Sequence, residues 1–65
     1  MNIFRAFEIK EQIESNSEFS VDVFRNGDNN GWALEAIRES EGRLEVDVIA
    51  DESDWYLFGR CYLGQ

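Results

Sequence analysis

From Leu44 to Ala50 the chain alternates: Leu44, Val46, Val48 and Ala50 are separated by Glu45, Asp47 and Ile49. Trp55, Leu57, Gly59, Cys61 and Leu63 alternate in the same way with Tyr56, Phe58, Arg60 and Tyr62. A period of two is that of a strand with one covered face. Asp51-Glu52-Ser53-Asp54 between the two runs has turn chemistry, so Arg43 to Leu63 reads as a β-hairpin. One of its faces is apolar and needs cover. The other carries Glu45 and Asp47 beside Tyr56, Phe58 and Tyr62.

Upstream, Phe19, Val21 and Val23 alternate with Ser20, Asp22 and Phe24, which predicts a strand over Glu18 to Arg25. Asn26-Gly27-Asp28-Asn29-Asn30-Gly31 is the strongest turn signal in the chain. Trp32 to Glu39 reads either way. As a helix it has good propensity and Gly42 as a stop. As a strand it places Trp32, Leu34 and Ala36 on one face, with Ser40-Glu41-Gly42 closing a hairpin into Arg43. The even spacing of strand starts favours the strand. From Asn2 to Ser15, Ile3, Ala6, Phe7, Ile9, Lys10 and Ile13 fall near one side of a helix, although Phe7 and Ile9 also alternate as in a strand. A sheet apolar on one side needs a lid, which favours the helix. The expected fold is α+β: an N-terminal helix packed on a four-stranded antiparallel meander, with β-β-α-β-β as the alternative. The expected core is Phe19, Val21, Val23, Trp32, Leu34, Leu44, Val46, Val48, Trp55, Leu57 and Leu63, with Cys61 on the same inward parity.

Composition narrows the function. A chain of 65 residues is one domain, and at this size only about 60% of the unfolded chain's surface is buried on folding. A substrate pocket of about 300 Å³ or more would hollow out its single core. Fourteen Asp and Glu against six Lys and Arg give a formal charge of −8. That charge disfavours direct nucleic-acid binding, which needs a basic footprint, and favours association with a basic partner. A single cysteine permits no internal disulfide and fits a reducing compartment. Neither a signal peptide nor a membrane span is apparent, so the expected location is the cytoplasm, as a monomer.

Catalytic chemistry is not expected. Histidine is absent, and there is no phosphate loop, nucleophile elbow or paired-cysteine motif. Glu45 with Asp47, and Asp51 with Asp54, are carboxylate pairs in exposed settings where nothing raises one pKa for acid catalysis. The Asn26–Gly31 turn lacks the ligand spacing of a calcium loop, so no cofactor or metal is expected. The outer sheet face is the candidate site: Asp22, Glu35, Glu45 and Asp47 pointing outward together with Tyr56, Tyr62, Phe24 and Phe58, Arg60 among them, and the turn acids Glu39, Glu41, Asp51, Glu52 and Asp54 extending the field at the sheet ends. Residues two apart on a strand lie about 6.6 Å apart, which puts Glu45 and Asp47 near the separation of successive phosphates along a nucleic-acid strand.

In size, acidity and lack of catalytic residues the chain resembles the small acidic anti-CRISPR proteins of phages and mobile elements. That resemblance implies an inhibitor of a CRISPR surveillance complex, such as one of type I, that blocks target DNA by charge mimicry, its partner a basic protein or ribonucleoprotein that normally binds nucleic acid. An immunity protein that neutralises a toxin nuclease would share the acidic surface. A dimerising structural or regulatory subunit would use the aromatic face instead.

Overall fold

The computed structural model describes residues 1–27 and 31–64. Five elements follow one another: α1 (Ile3–Asn16), β1 (Ser20–Arg25), β2 (Trp32–Ser40), β3 (Arg43–Ile49) and α2 (Glu52–Tyr62). The strands form an antiparallel sheet in the order β1-β2-β3. The α+β class is as expected, but the sheet has three strands, and the stretch expected to be the fourth is the helix α2. The β-β-α-β-β arrangement is likewise excluded, because residues 32–40 are strand and, among the described residues, no helix lies between strands.

α1 forms because Ala6, Ile9 and Ile13 recur at helical spacing and all become fully buried. The Asn2 side chain caps its start, accepting from the Arg5 N–H at 2.8 Å. Its end is closed by Ser17, whose hydroxyl donates to the Ile13 carbonyl at 2.6 Å. β2 and β3 meet in a two-residue turn, with Glu41 at φ 53° and Gly42 at φ 76° between the paired Ser40 and Arg43. Positive φ at both positions matches the right-handed twist of the flanking strands. At the other hairpin, the Asn26 N–H donates to the Gly31 carbonyl at 3.0 Å. Asp28, Asn29 and Asn30, and with them much of the stretch weighed as a calcium loop, lie outside the described residues.

Asp51 to Asp54 is the start of α2 rather than a β-turn. The Asp51 carboxylate accepts from the Asp54 N–H at 2.9 Å as an N-cap, and Glu52 and Asp54 sit in the first turn, where the helix dipole favours negative charge. Beyond the cap, Trp55, Phe58 and Tyr62 step by three and four. Their rings adjoin one another, Trp55 to Phe58 at 6.4 Å and Phe58 to Tyr62 at 4.9 Å. Phe58, expected outside, is the largest fully buried side chain, edge-on to Phe19 at 5.1 Å. A helical period had been present beneath the alternating one, and the cap decides between them.

α1 packs against β1 and β2, and α2 against β3. The core between the helices and the sheet consists of Ala6, Ile9, Ile13, Phe19, Val21, Leu34, Ala36, Ile49 and Phe58, with Val23, Trp32, Trp55 and Leu63 packed on its margin. The cross-strand register fixes which strand residues share this face. Val21 pairs with Ala36 and Ala36 with Asp47, while Val23 pairs with Leu34 and Leu34 with Ile49. Leu44, Val46 and Val48 therefore lie on the opposite face, at 69%, 54% and 47% exposure, not in the core. Leu57 and Cys61, also expected inside, are exposed on α2.

Candidate functional site: the open sheet face

Both helices pack on one side of the sheet, so its other face is uncovered. That face carries Ser20, Asp22 and Phe24 from β1, Ala33, Glu35, Ile37 and Glu39 from β2, and Leu44, Val46 and Val48 from β3. None of these described residues is a cation. Arg25, Arg38 and Arg43 all have the opposite parity, toward the helices. Asp22 and Glu35 are direct cross-strand partners. In such a pair the Cβ atoms are about 4.5–5.5 Å apart and like charges destabilise the sheet. The face is thus apolar along β3 and acidic across β1 and β2.

The acids expected to act together are divided between two faces and a helix. Asp22 and Glu35 share the open face. Glu45 and Asp47 lie on the helix side of β3, because Asp47 is in register with Ala36 and Val21, so the phosphate-like acidic row of β3 does not join them. Glu45 is held by Arg38, whose Nε donates to it at 2.8 Å. The Arg38 guanidinium also lies over the rings of Phe19 and Tyr62, at 4.6 and 5.3 Å, so that it closes one end of the core. The Glu45 carboxylate raises the Arg38 pKa.

Tyr56 and Tyr62 belong to α2. Tyr56 is exposed with Arg60 stacked over its ring at 5.8 Å, so Arg60 stands beside an aromatic and not among the β3 acids. Tyr62 packs against Phe19 and Phe58. Asp51 is spent on the cap, and Asp54 accepts from the Ala50 N–H at 2.9 Å. Glu52 receives two bonds from Arg5, at 2.9 and 2.8 Å, which tie α2 to α1, and Glu8 is a further partner of the same guanidinium. The Arg5 hydrogen bonds hold the Glu52 pKa below the usual carboxylate range, and Glu52, then Glu8, raise that of Arg5. Glu14 is depressed by the Lys10 ammonium and next by the Val21 N–H it accepts.

Sequence reasoning missed Leu44, Val46 and Val48 as surface residues. Their alternation was legible, but not the side on which it would fall. Among the described residues no group of His, Cys, Asp and Glu is placed to hold a metal ion, and no helix is long and apolar enough to cross a membrane. The described residues form two notable depressions. One, of about 360 Å³, is lined by Phe7, Lys10, Glu11, Glu14 and Ser15, all from α1, so no second element encloses it. The other, of about 230 Å³, runs between β3 and α2.

No family model matches the chain, and no similar protein was found among the curated proteins or the solved structures.

Proposed function

We propose that this protein is a non-catalytic acidic binding module that occupies a basic surface on a partner which itself binds nucleic acid, with a CRISPR surveillance complex as the first candidate. The observation that carries the reading is the open sheet face. It holds the like-charged cross-strand pair Asp22 and Glu35 beside the exposed Leu44, Val46 and Val48, and no strand cation. Adjacent carboxylates lower stability, and three neighbouring exposed apolar side chains on one face favour an interaction surface. An apolar centre beside uncompensated charge of one sign is the make-up of a docking surface that steers a partner of opposite charge. Stacking the face on a second copy would bring the Asp22 and Glu35 carboxylates of both chains into one interface without cations, at a cost that favours a basic partner over a dimer.

The test is displacement of labelled target DNA from a purified type I surveillance complex. The expected result is dose-dependent loss of bound DNA that weakens as salt rises and is relieved by Asp22→Lys with Glu35→Lys. If the protein leaves DNA binding unchanged, this partner is wrong. If it instead neutralises a toxin nuclease with the same charge dependence, it is an immunity protein. Displacement that survives charge reversal would remove the open face from the mechanism.

A further inference from the structure

The two edges of the sheet are finished to different extents. On the β1 side, the outward N–H of Val21 is taken by the Glu14 carboxylate at 3.0 Å and that of Phe19, just before β1, by the Ser17 hydroxyl at 3.2 Å, while those of Val23 and Arg25 meet no acceptor among the described residues. Because Val21 points its N–H away from β2, Ala36 opposite it points toward β3 and forms a hydrogen-bonded pair with Asp47. By the same alternation the N–H and C=O groups of Leu44, Val46 and Val48 point out of the sheet. The N–H of Ala50, next in that series, confirms the direction, since it reaches Asp54 of α2. Among the described residues no acceptor meets the N–H groups of Leu44, Val46 or Val48. A row of unpaired backbone groups on an edge strand is a template for another strand.

Beside that edge runs the groove of about 230 Å³ between β3 and α2, lined by Asp47, Val48, Asp54, Leu57, Cys61 and Tyr62. It is smaller than the roughly 300–1,000 Å³ of small-molecule sites but of the order of one or two side chains. A strand laid along β3 would alternate its side chains between two environments. One set would extend the apolar row of Leu44, Val46 and Val48 on the open face. The other would stand beside Glu45 and Asp47 and enter the groove, where Asp47 has no ion-pair partner among the described residues.

We infer that the β3 edge accepts an extended segment of a partner protein, alternating apolar and basic residues, as a fourth strand. This rests on the proposed acidic-module reading and gives it a mode of docking. The charge pattern selects the occupant. Two copies of β3 pairing antiparallel about Val46 would set Glu45 opposite Asp47 of the other copy, and centring on either acid would set it against itself. Like charges directly opposite destabilise a pair, so a second copy is disfavoured where a lysine- or arginine-bearing strand is favoured. Main-chain hydrogen bonds supply affinity in such strand addition, and the alternate side chains supply specificity.

The probe is a synthetic peptide as long as the seven-residue β3, alternating valine and lysine, added to the full chain. The expected result is salt-sensitive binding in which the amides of Leu44, Val46 and Val48 gain protection from hydrogen exchange. A valine–glutamate peptide should not bind. N-methylating the lysine peptide at the amides that face β3 should weaken it at least about tenfold, since several main-chain hydrogen bonds are lost together, and Asp47→Asn should weaken it with the fold unchanged. Binding of the lysine peptide without protection at the three amides, or unaffected by N-methylation, would overturn strand addition and leave the acidic module standing. No binding of any lysine peptide would overturn strand addition, and the acidic module would then stand or fall on the DNA displacement alone. Protection of the three amides in the free chain that grows with its own concentration would make a second copy the occupant and overturn the inference.

Discussion

Ile49 and Val46 belong to the same strand, and their substitutions should differ sharply in cost. Ile49 is fully buried, in register with Leu34, which is also fully buried. Ile49→Ala removes three carbons from that contact. At about 0.8 kcal/mol per buried methylene the transfer loss is about 2.4 kcal/mol, and an unfilled cavity adds to it, giving about 3 kcal/mol. Val46 is 54% exposed on the uncovered face, and Val46→Thr exchanges a methyl for a hydroxyl of similar shape with strand propensity kept, for less than about 0.5 kcal/mol. A 65-residue domain has about 3–10 kcal/mol of stability in all. Ile49→Ala therefore consumes about 30% of it or more, and Ile49→Val, at about 1 kcal/mol, provides a milder measurement should the alanine variant not fold. Urea unfolding followed by tryptophan fluorescence suits the comparison, because Trp32 and Trp55 both pack on the core margin. With a slope of about 1 kcal/mol/M, the midpoint should fall by about 3 M for Ile49→Ala and by under about 0.5 M for Val46→Thr. A Val46→Thr variant as destabilised as Ile49→Val would place Leu44, Val46 and Val48 under the helices and refute the register.

Three further outcomes are expected. Glu41 occupies φ 53° in the β2–β3 turn, a region costing an L-residue about 1–2 kcal/mol, so Glu41→Asn should raise the urea midpoint by the equivalent of about 0.5–1 kcal/mol; no gain would mean that the turn differs from the two-residue form. Asp51→Ala removes the α2 cap and should cost about 0.5–2 kcal/mol, read as a lower thermal midpoint, and a neutral result would deny the cap its role. Glu14 and Glu52 have folded pKa values below the ordinary range, so their contribution is present above that range and is lost as pH falls through the folded values. Both reach solvent, with side-chain exposures of 39% for Glu14 and 59% for Glu52, which limits each to about 0.2–1 kcal/mol. The stability difference between the wild type and Glu14→Gln should accordingly shrink as pH falls through and below the ordinary carboxylate range, and a difference independent of pH would rule out ionisation as its source.

Much of the fold was legible in local pattern. Ala6, Ile9 and Ile13 marked α1, Val21 and Val23 marked β1, and Glu41-Gly42 marked the hairpin turn. The C-terminal stretch misled because Trp, Tyr and Phe suit a strand by propensity, Gly59 weakens a helix interior, and the alternation masked the helical steps from Trp55 to Phe58 to Tyr62. Asp51 and Asp54 carried the deciding signal, since an acid followed three residues later by another is as good a helix start as a turn. One error produced the other. With α2 taken for a strand, β3 became an interior strand needing a buried apolar row, and Leu44, Val46 and Val48 supplied one. As the edge strand it is, β3 contributes only Ile49 to the core. Glu45 and Asp47 can face the helix layer because the edge stays within reach of water and Arg38 meets one of them. Of the candidate site, the overall charge and the outward parity of Asp22 and Glu35 were readable, whereas the bare apolar row followed from topology alone.

The placement of these acids also bears on why an exposed apolar edge can be kept at all. A strand with Leu44, Val46 and Val48 on one face and free N–H groups on its rim would, with neutral residues between them, pair readily with copies of itself. Glu45 and Asp47 charge the rim on the helix side, so the registers centred on residues 45 to 47 meet repulsion, and the formal charge of −8 adds a longer-range barrier to close approach of two chains. Neither effect closes the edge to a strand carrying lysine or arginine, for which both change sign. Specificity is a difference between affinities, and here one pair of carboxylates would lower one affinity while raising the other. Neutralising both, as Glu45→Gln with Asp47→Asn, should therefore make self-association more favourable and basic-peptide binding weaker together, two changes that a purely solubilising role for the acids would not couple.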